Sequence, residues 1–297
     1  MSRNLTVAAL QTSMSWDQTA NIERMLDLAH RAADQGAQLV LPSELFETPY
    51  FCKVASDRYK ALATPAADNP AIAAFRRFAR ERNVVVPVSF YERAEDGLFN
   101  SAAIIDAGGE LLGIYRKCHI PQFEGYRESD YFLPSGQGPK VWKTRFLTLG
   151  VGICWDQWFP ELARSMALMG AELLVYPTAI GSEASFPDWD SSAQWRSAML
   201  GHAASNLVPV LASNRVGTEV DDGVQMTFYG TSFCSDQRAR IVAEAPRGDE
   251  AIVLATLDLG QAAQDRKFWG IYETRRPQVY GMLTDTPAGP PPMPAVA

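Results

Sequence analysis

The stretch LGVGICWDQWFPE, residues 149–161, decides how the chain folds. An apolar run carrying two glycines ends at Cys154, and Pro160 then opens a helical pattern, PELARSMALMG. Proline is tolerated at a first helical position because its missing N–H would have no partner there. A strand that feeds a helix through a sharp turn is the unit of an α/β architecture, and such a turn pushes the thiol outward. Amides at a helix start favour an anion, so the position predicts a thiol that ionises more readily than the usual value of about 8.5. The alternative for Cys154 is a buried structural cysteine.

Working outward, the same rhythm recurs on both sides. Upstream, NLTVAAL (4–10) reads as a strand, residues 19–35 place Ile22, Met25, Leu26 and Ala29 at helical spacing, and QLVLP (38–42) reads as a second strand. PAIAAFRRFARER (70–82) is a helix with Ile72, Phe75 and Phe78 or Ala79 on one face, feeding VVVPVSF at 84–90. The runs 84–90, 99–105 and 111–115 are separated by EDG and DAGGE, turn chemistries that predict antiparallel neighbours. Downstream come AELLVYP as strand, a helix over about 190–205, LVPVLASN as strand, and short strands at 226–235, 239–244 and 251–257. The mixture predicts helices outside sheets, with at least one sheet buried on both faces. Consecutive hairpin-like strands argue against a (β/α) barrel, which needs strict alternation. The last residues, AGPPPMPAVA, are too proline-rich to pack.

The 297 residues are 47% hydrophobic and 21% charged, the balance of a folded protein, which excludes disordered and fibrous classes. Net charge is -7, and no basic run exceeds the pairs Arg76-Arg77 and Arg275-Arg276, so phosphate-tracking binding to nucleic acid is excluded. Cys52, Cys118, Cys154 and Cys234 form no C-x-x-C pair, and with three histidines a zinc site has no support. No stretch resembles a secretory signal or a membrane span of about 20 apolar residues. The expectation is a cytoplasmic protein with its cysteines reduced and with no membrane partner.

A nucleophilic thiol needs a proton acceptor and a group to hold the oxyanion that develops on the attacked carbonyl. Two other strand ends carry ionisable groups: QLVLPSE places Glu44 beyond the second strand, and LLGIYRK places Lys117 at the end of another. If these strands share a direction, Glu44, Lys117 and Cys154 converge on one carboxyl edge, where sheets with helical layers bind ligands. Taken singly, Glu44 could be a solvated loop residue and Lys117, beside Arg116, one half of a surface ion pair.

PSELFETPYFC, YRKCHIP and GVGICWDQWFPE, in this order, resemble the Glu, Lys and Cys signatures of the nitrilase superfamily of carbon-nitrogen hydrolases. The resemblance spans residues from about 5 to 281. It implies a four-layer αββα sandwich in a single carbon-nitrogen hydrolase domain over 1–285, with 286–297 a disordered tail. It also implies a homodimer or higher homo-oligomer, and no metal or organic cofactor. The residues that match the family triad are Glu44, Lys117 and Cys154, with Glu128 in GYRE as an accessory glutamate and the backbone N–H of Trp155 as an oxyanion donor. The loop QFEGYRE departs from the usual pattern, leaving Glu124 as a rival to Glu128 for the accessory place.

Further likeness, in ETPYFC, MTFYGTSF and RRPQVYG among other stretches, points to the branch of that superfamily that acts on a small cationic ureido substrate. Where relatives acting on carbamoyl amino acids place basic residues after the cysteine, this chain has Asp156, Gln157 and Trp158. A protonated amine wants carboxylates and aromatic faces, for which Asp130, Glu183, Asp188 and Trp189 are candidates besides Glu128 and Trp155. Arg196 and Arg215 keep a carboxylate-bearing substrate open, since bidentate arginine suits that group. Readings outside hydrolysis are a silent scaffold and a redox-sensing thiol protein with Cys118 as resolving partner.

Overall fold

The computed structural model describes residues 2–182 and 189–285. Sixteen strands and five main helices are placed among them. The first half contains β1 (Asn4–Gln11), α1 (Gln18–Asp34), β2 (Leu39–Leu41), α2 (Pro70–Arg82), β3 (Val86–Ala94), β4 (Gly97–Ile105), β5 (Leu111–Arg116), β6 (Gln122–Phe123) and β7 (Tyr126–Arg127). The second contains β8 (Val141–Lys143), β9 (Thr148–Val151), α3 (Pro160–Leu168), β10 (Leu173–Pro177), α4 (Ser192–Asn206), β11 (Val210–Ser213), β12 (Val216–Asp221), β13 (Val224–Tyr229), β14 (Phe233–Ser235), β15 (Ile241–Glu244), β16 (Ala251–Asp258) and α5 (Leu259–Trp269).

Local chemistry explains the helix ends. Asp17 caps α1 by accepting the Ala20 N–H, and Asn69 caps α2 by accepting that of Ile72, with Pro70 next to it. The α1 face buries Leu28 where the periodicity put Leu26, which is only partly buried.

β12-β13 and β6-β7 are separate two-stranded ribbons, and two sheets form the body of the fold. One runs β16-β1-β2 and continues through a parallel bridge between Leu39 and Val85 into β3-β4-β5. The other runs β15-β14-β11-β10-β9-β8. Their apolar side chains form three layers. Leu5, Val7, Leu39 and Ile104 of the first sheet meet Leu149, Val151, Leu173 and Leu211 of the second between the sheets. The outer face of the first sheet packs on Met25, Leu28, Phe75 and Phe78 of α1 and α2. Leu174, Tyr176, Val210 and Ala212 of the second pack on Leu162, Met166, Trp195 and Met199 of α3 and α4. Three apolar layers between four structural layers make the αββα sandwich that the family resemblance implies, with helices outside the sheets as the sequence pattern predicts.

Three details differ from the sequence reading. Residues 226–235 are not one strand. The chain leaves β13 at Tyr229, turns through Gly230 and Thr231, which has a φ of 50°, and enters the other sheet as β14. The partner of β13 is β12, a strand too polar to stand out in GTEVDD. Glu44 and Lys117 leave the first sheet, whereas Cys154 leaves the second, so the three converge across the sandwich. The tail 286–297 lies outside the described residues.

The turn after β9 has no room to spare. A Cβ on Gly152 would lie 2.8 Å from Tyr176 Cε1 and 3.2 Å from Asp156 Cβ. Gly152→Ala is therefore expected to cost about 1–3 kcal/mol, read as a lower denaturation midpoint. An unchanged midpoint would show that Tyr176 yields freely.

Candidate active site

Cys154 follows β9 with a left-handed φ of 40°, a conformation a non-glycine residue holds only when its surroundings impose it. Asp156 supplies that constraint. Fully buried, it accepts the N–H of Ile153 at 2.9 Å, the N–H of His119 at 3.0 Å and the hydroxyl of Tyr115 at 2.7 Å, and it lies 2.7 Å from His119 Nδ1. The cysteine turn is thereby pinned to the segment that follows β5. Gln157 extends the scaffold, its Oε1 accepting the indole N–H of Trp195 on α4 at 2.8 Å.

Lys117 stands at the end of β5, fully buried, between two equally buried carboxylates. Its Nζ donates to Glu44 Oε1 at 2.9 Å and to Glu128 at 2.9 and 2.7 Å. Asn100 on β4 donates to Glu44 Oε1 at 2.7 Å, and Tyr50 donates its hydroxyl to Glu128 Oε1 at 2.8 Å. Glu44 Oε2 is buried with no hydrogen-bond partner among the described residues. An unpaired carboxylate oxygen is costly inside a protein, and here it is the acceptor left over beside a thiol.

The electrostatics follow from burial. Desolvation alone would push Lys117 down, but Glu128 and Glu44 outweigh it and hold it well above the ordinary lysine value. Burial, partly offset by Lys117, raises Glu128 to about 7. Cys154 moves opposite to the sequence expectation: burial and then the Glu44 carboxylate raise its pKa, and Lys117 offsets only part.

A cavity of about 210 Å³ opens onto Cys154. Phe123, Tyr126, Trp155, Trp158, Ile180 and Trp189 are among its walls, and no Lys or Arg lines it among the described residues. The Trp158 indole N–H is buried without a partner among the described residues.

Of the residues singled out from the sequence, Glu44, Lys117, Glu128 and Cys154 come together, and Trp155 and Trp189 line the cavity. The Trp155 amide occupies the first turn after Cys154, where helical geometry provides no acceptor. Glu128, not Glu124, meets Lys117, whereas Glu124 is exposed beside a second depression. Asp130 is not among the residues lining this cavity: it pairs with Arg127 at 2.7 Å and lines a different depression, on the same short turn from which Glu128 reaches Lys117. Glu183 and Asp188 lie outside the described residues. Arg215 is not a pocket group either, since its fully buried guanidinium donates to Glu44 O at 2.6 Å and to Leu45 O at 3.0 Å. Arg196 is paired with Glu244 at 2.6 Å.

Asn100, Tyr50 and Asp156 were missed. Asn100 left a signal, a lone amide in the apolar run GLFNSAAII. Tyr50 and Asp156 left none that distinguishes them from packing or surface residues.

Known proteins carry the same frame. The family described as carbon-nitrogen hydrolase matches residues 6–267. The chain belongs to that family, within the nitrilase superfamily. This carbon-nitrogen hydrolase is 46% identical to a citrullinase of Francisella tularensis, over 93% of this chain and 97% of that one. It is also 46% identical to the N-carbamoylputrescine amidase of Arabidopsis thaliana, over 95% of both chains. A crystal structure of a carbon-nitrogen hydrolase from Helicobacter pylori superposes with a TM-score of 0.88 at 33% identity, over 96% of this chain and 99% of that one.

Because burial raises the Glu128 carboxyl to about 7, catalysis by this carbon-nitrogen hydrolase should fall on the acid side as that carboxyl gains a proton. Glu128→Gln removes one of two like charges, so the acid limb of kcat/KM should move to lower pH on the residual activity. A limb that stays in place would show that Glu128 does not set it.

Proposed function

We propose that this chain hydrolyses N-carbamoylputrescine to putrescine, carbon dioxide and ammonia. The observation that carries the reading is the buried Glu44–Lys117–Glu128 cluster beside Cys154 at the floor of an aromatic cavity. Glu44, through its unpaired Oε2, takes the thiol proton as the Cys154 sulfur attacks the ureido carbonyl. Lys117 and the Trp155 amide stabilise the oxyanion. Glu44 returns the proton to the departing amine, leaving an acyl group on sulfur. Water, deprotonated by Glu44 with Glu128 holding the lysine in place, then cleaves the thioester. Either order of departure releases a carbamic acid, that of putrescine or the unsubstituted one, which loses carbon dioxide to give the second amine, so both orders give the same products.

Support for the cationic end comes from the walls. Phe123 lies 5.3 Å from Trp155 and 4.9 Å from Tyr126, and Trp189 faces the same cavity, so methylenes and a protonated amine meet aromatic surface. The segment 183–188, EASFPD, adds Glu183 and Asp188 by sequence and no basic residue. We assign these two carboxylates and Trp189 to the amine. Citrulline is the second reading, favoured by the Francisella relative, and it differs by a carboxylate for which the described cavity walls supply no cation.

We also propose one catalytic unit over 1–285 and a cytoplasmic setting, in keeping with four free cysteines. No described helix is long and apolar enough to cross a membrane. Association of two copies would cover Phe268 and Trp269, which are 86% and 65% exposed. Light scattering on the purified chain should give at least twice 32.7 kDa, and a monomer mass would refute the pairing.

The substrate test is release of putrescine and ammonia from N-carbamoylputrescine, beside citrulline and N-carbamoyl-β-alanine. Preference for the diamine, abolished in Cys154→Ala, is the expected result. Preference for citrulline would keep the nucleophile and overturn the substrate.

A further inference from the structure

Arg215, Glu219 and Lys53 form a second buried ionic group outside the cavity. Arg215 follows β11 and spends its guanidinium on one short segment, donating to Glu44 O at 2.6 Å, Leu45 O at 3.0 Å and Thr48 O at 3.2 Å. Its Nη1 also donates to Glu219 Oε1 on β12 at 2.9 Å. Glu219 Oε2 in turn accepts the N–H of Tyr50 at 2.7 Å and lies 3.4 Å from Lys53 Nζ, which donates to Tyr50 O at 3.0 Å. Tyr50 is the residue whose hydroxyl reaches Glu128.

The segment held in this way is strained. Leu45, directly after Glu44, has a φ of 47°, a left-handed value that a leucine does not adopt unaided. Its carbonyl is fixed by Arg215 and its N–H donates to Ser89 Oγ at 3.0 Å. The grip also crosses the sandwich. Arg215 and Ser213, which donates to Pro42 O at 2.8 Å, belong to the sheet of Cys154, and Glu44 belongs to the other. Buried ion groups are often no more stabilising than apolar residues of the same volume. Stability alone therefore does not account for three charges placed here, whereas a planar fork reaching four acceptors accounts for an arginine.

We propose that the Arg215–Glu219–Lys53 group positions both carboxylates of the catalytic cluster, with Arg215 setting Glu44 against Cys154 and Tyr50 carrying the constraint to Glu128. The proposal rests on the roles assigned above to Glu44 and Glu128. Arg215 and Tyr50 are positioning residues, acting through groups they hold.

The test compares wild type, Arg215→Lys, Tyr50→Phe and Glu44→Gln with N-carbamoylputrescine, measuring kcat and KM against pH, with active sites titrated by thiol alkylation. Lysine keeps the charge but cannot span three carbonyls, so kcat per titrated site should fall on the order of 100-fold with KM near the wild-type value. In Tyr50→Phe, Glu128 loses a hydrogen bond that favours its ionised form, so the acid limb should move to higher pH. A folded Arg215→Lys enzyme with wild-type kcat per site overturns the proposal. So does a Tyr50→Phe profile identical to wild type, which decides the matter even if Arg215→Lys fails to fold. If Glu44→Gln is inactive while both other variants behave as wild type, only the positioning role is refuted, whereas a fully active Glu44→Gln refutes the base itself.

Discussion

A lysine ammonium shared by two buried carboxylates is the constraint on which the rest of the site depends. Lys117, Glu44 and Glu128 are all fully buried. Removing one partner from such a group strands a charge in a low-dielectric interior, at a cost on the order of 3–5 kcal/mol. The cluster is therefore fixed in composition. Two carboxylates against one ammonium leave one acceptor in excess, and Glu44 Oε2 is the oxygen without a partner. The thiol beside it has its pKa raised by burial and by the Glu44 carboxylate, with Lys117 offsetting part of the rise.

The sandwich converts that local constraint into a site. Carboxyl ends of strands from both sheets meet at one edge, so Glu44 and Lys117 from one sheet face Cys154 from the other. Sheets that only packed could slide against each other. Here polar ties bridge them at the site: the Glu44 N–H to Thr178 O at 3.4 Å, Ser213 Oγ to Pro42 O at 2.8 Å, and Arg215 to the carbonyls after β2. Asp156 does the same for the cysteine turn by joining it to Tyr115 and His119.

Much of this was legible in the sequence because strand ends are local events. Periodicity placed α2 at its observed bounds, and apolar runs stopping at Glu44, Lys117 and Cys154 marked the three strand ends. What was not legible depends on partners distant in sequence. Arg215 looked like a carboxylate binder until its carbonyl partners, about 170 positions away, were on view. Asp130 looked like a pocket acid because its sequence neighbourhood contains Glu128, yet its short turn aims it at Arg127. Acidification of Cys154 by helix amides was a sound local argument overruled by burial and a neighbouring carboxylate. The path through residues 226–235 was hidden because MTFYGTSFCS carries strand-favouring residues on both sides of the Gly230–Thr231 turn.

The central claim is that Cys154 carries the acyl group during turnover. Acid-quenching the enzyme while it consumes N-carbamoylputrescine, then weighing the peptide that contains Cys154, tests it directly. The account predicts a carbonyl adduct on that peptide whose mass reveals which amine has left, and no adduct in Cys154→Ala. Continued turnover with an unmodified Cys154, or an adduct on another residue, would contradict it.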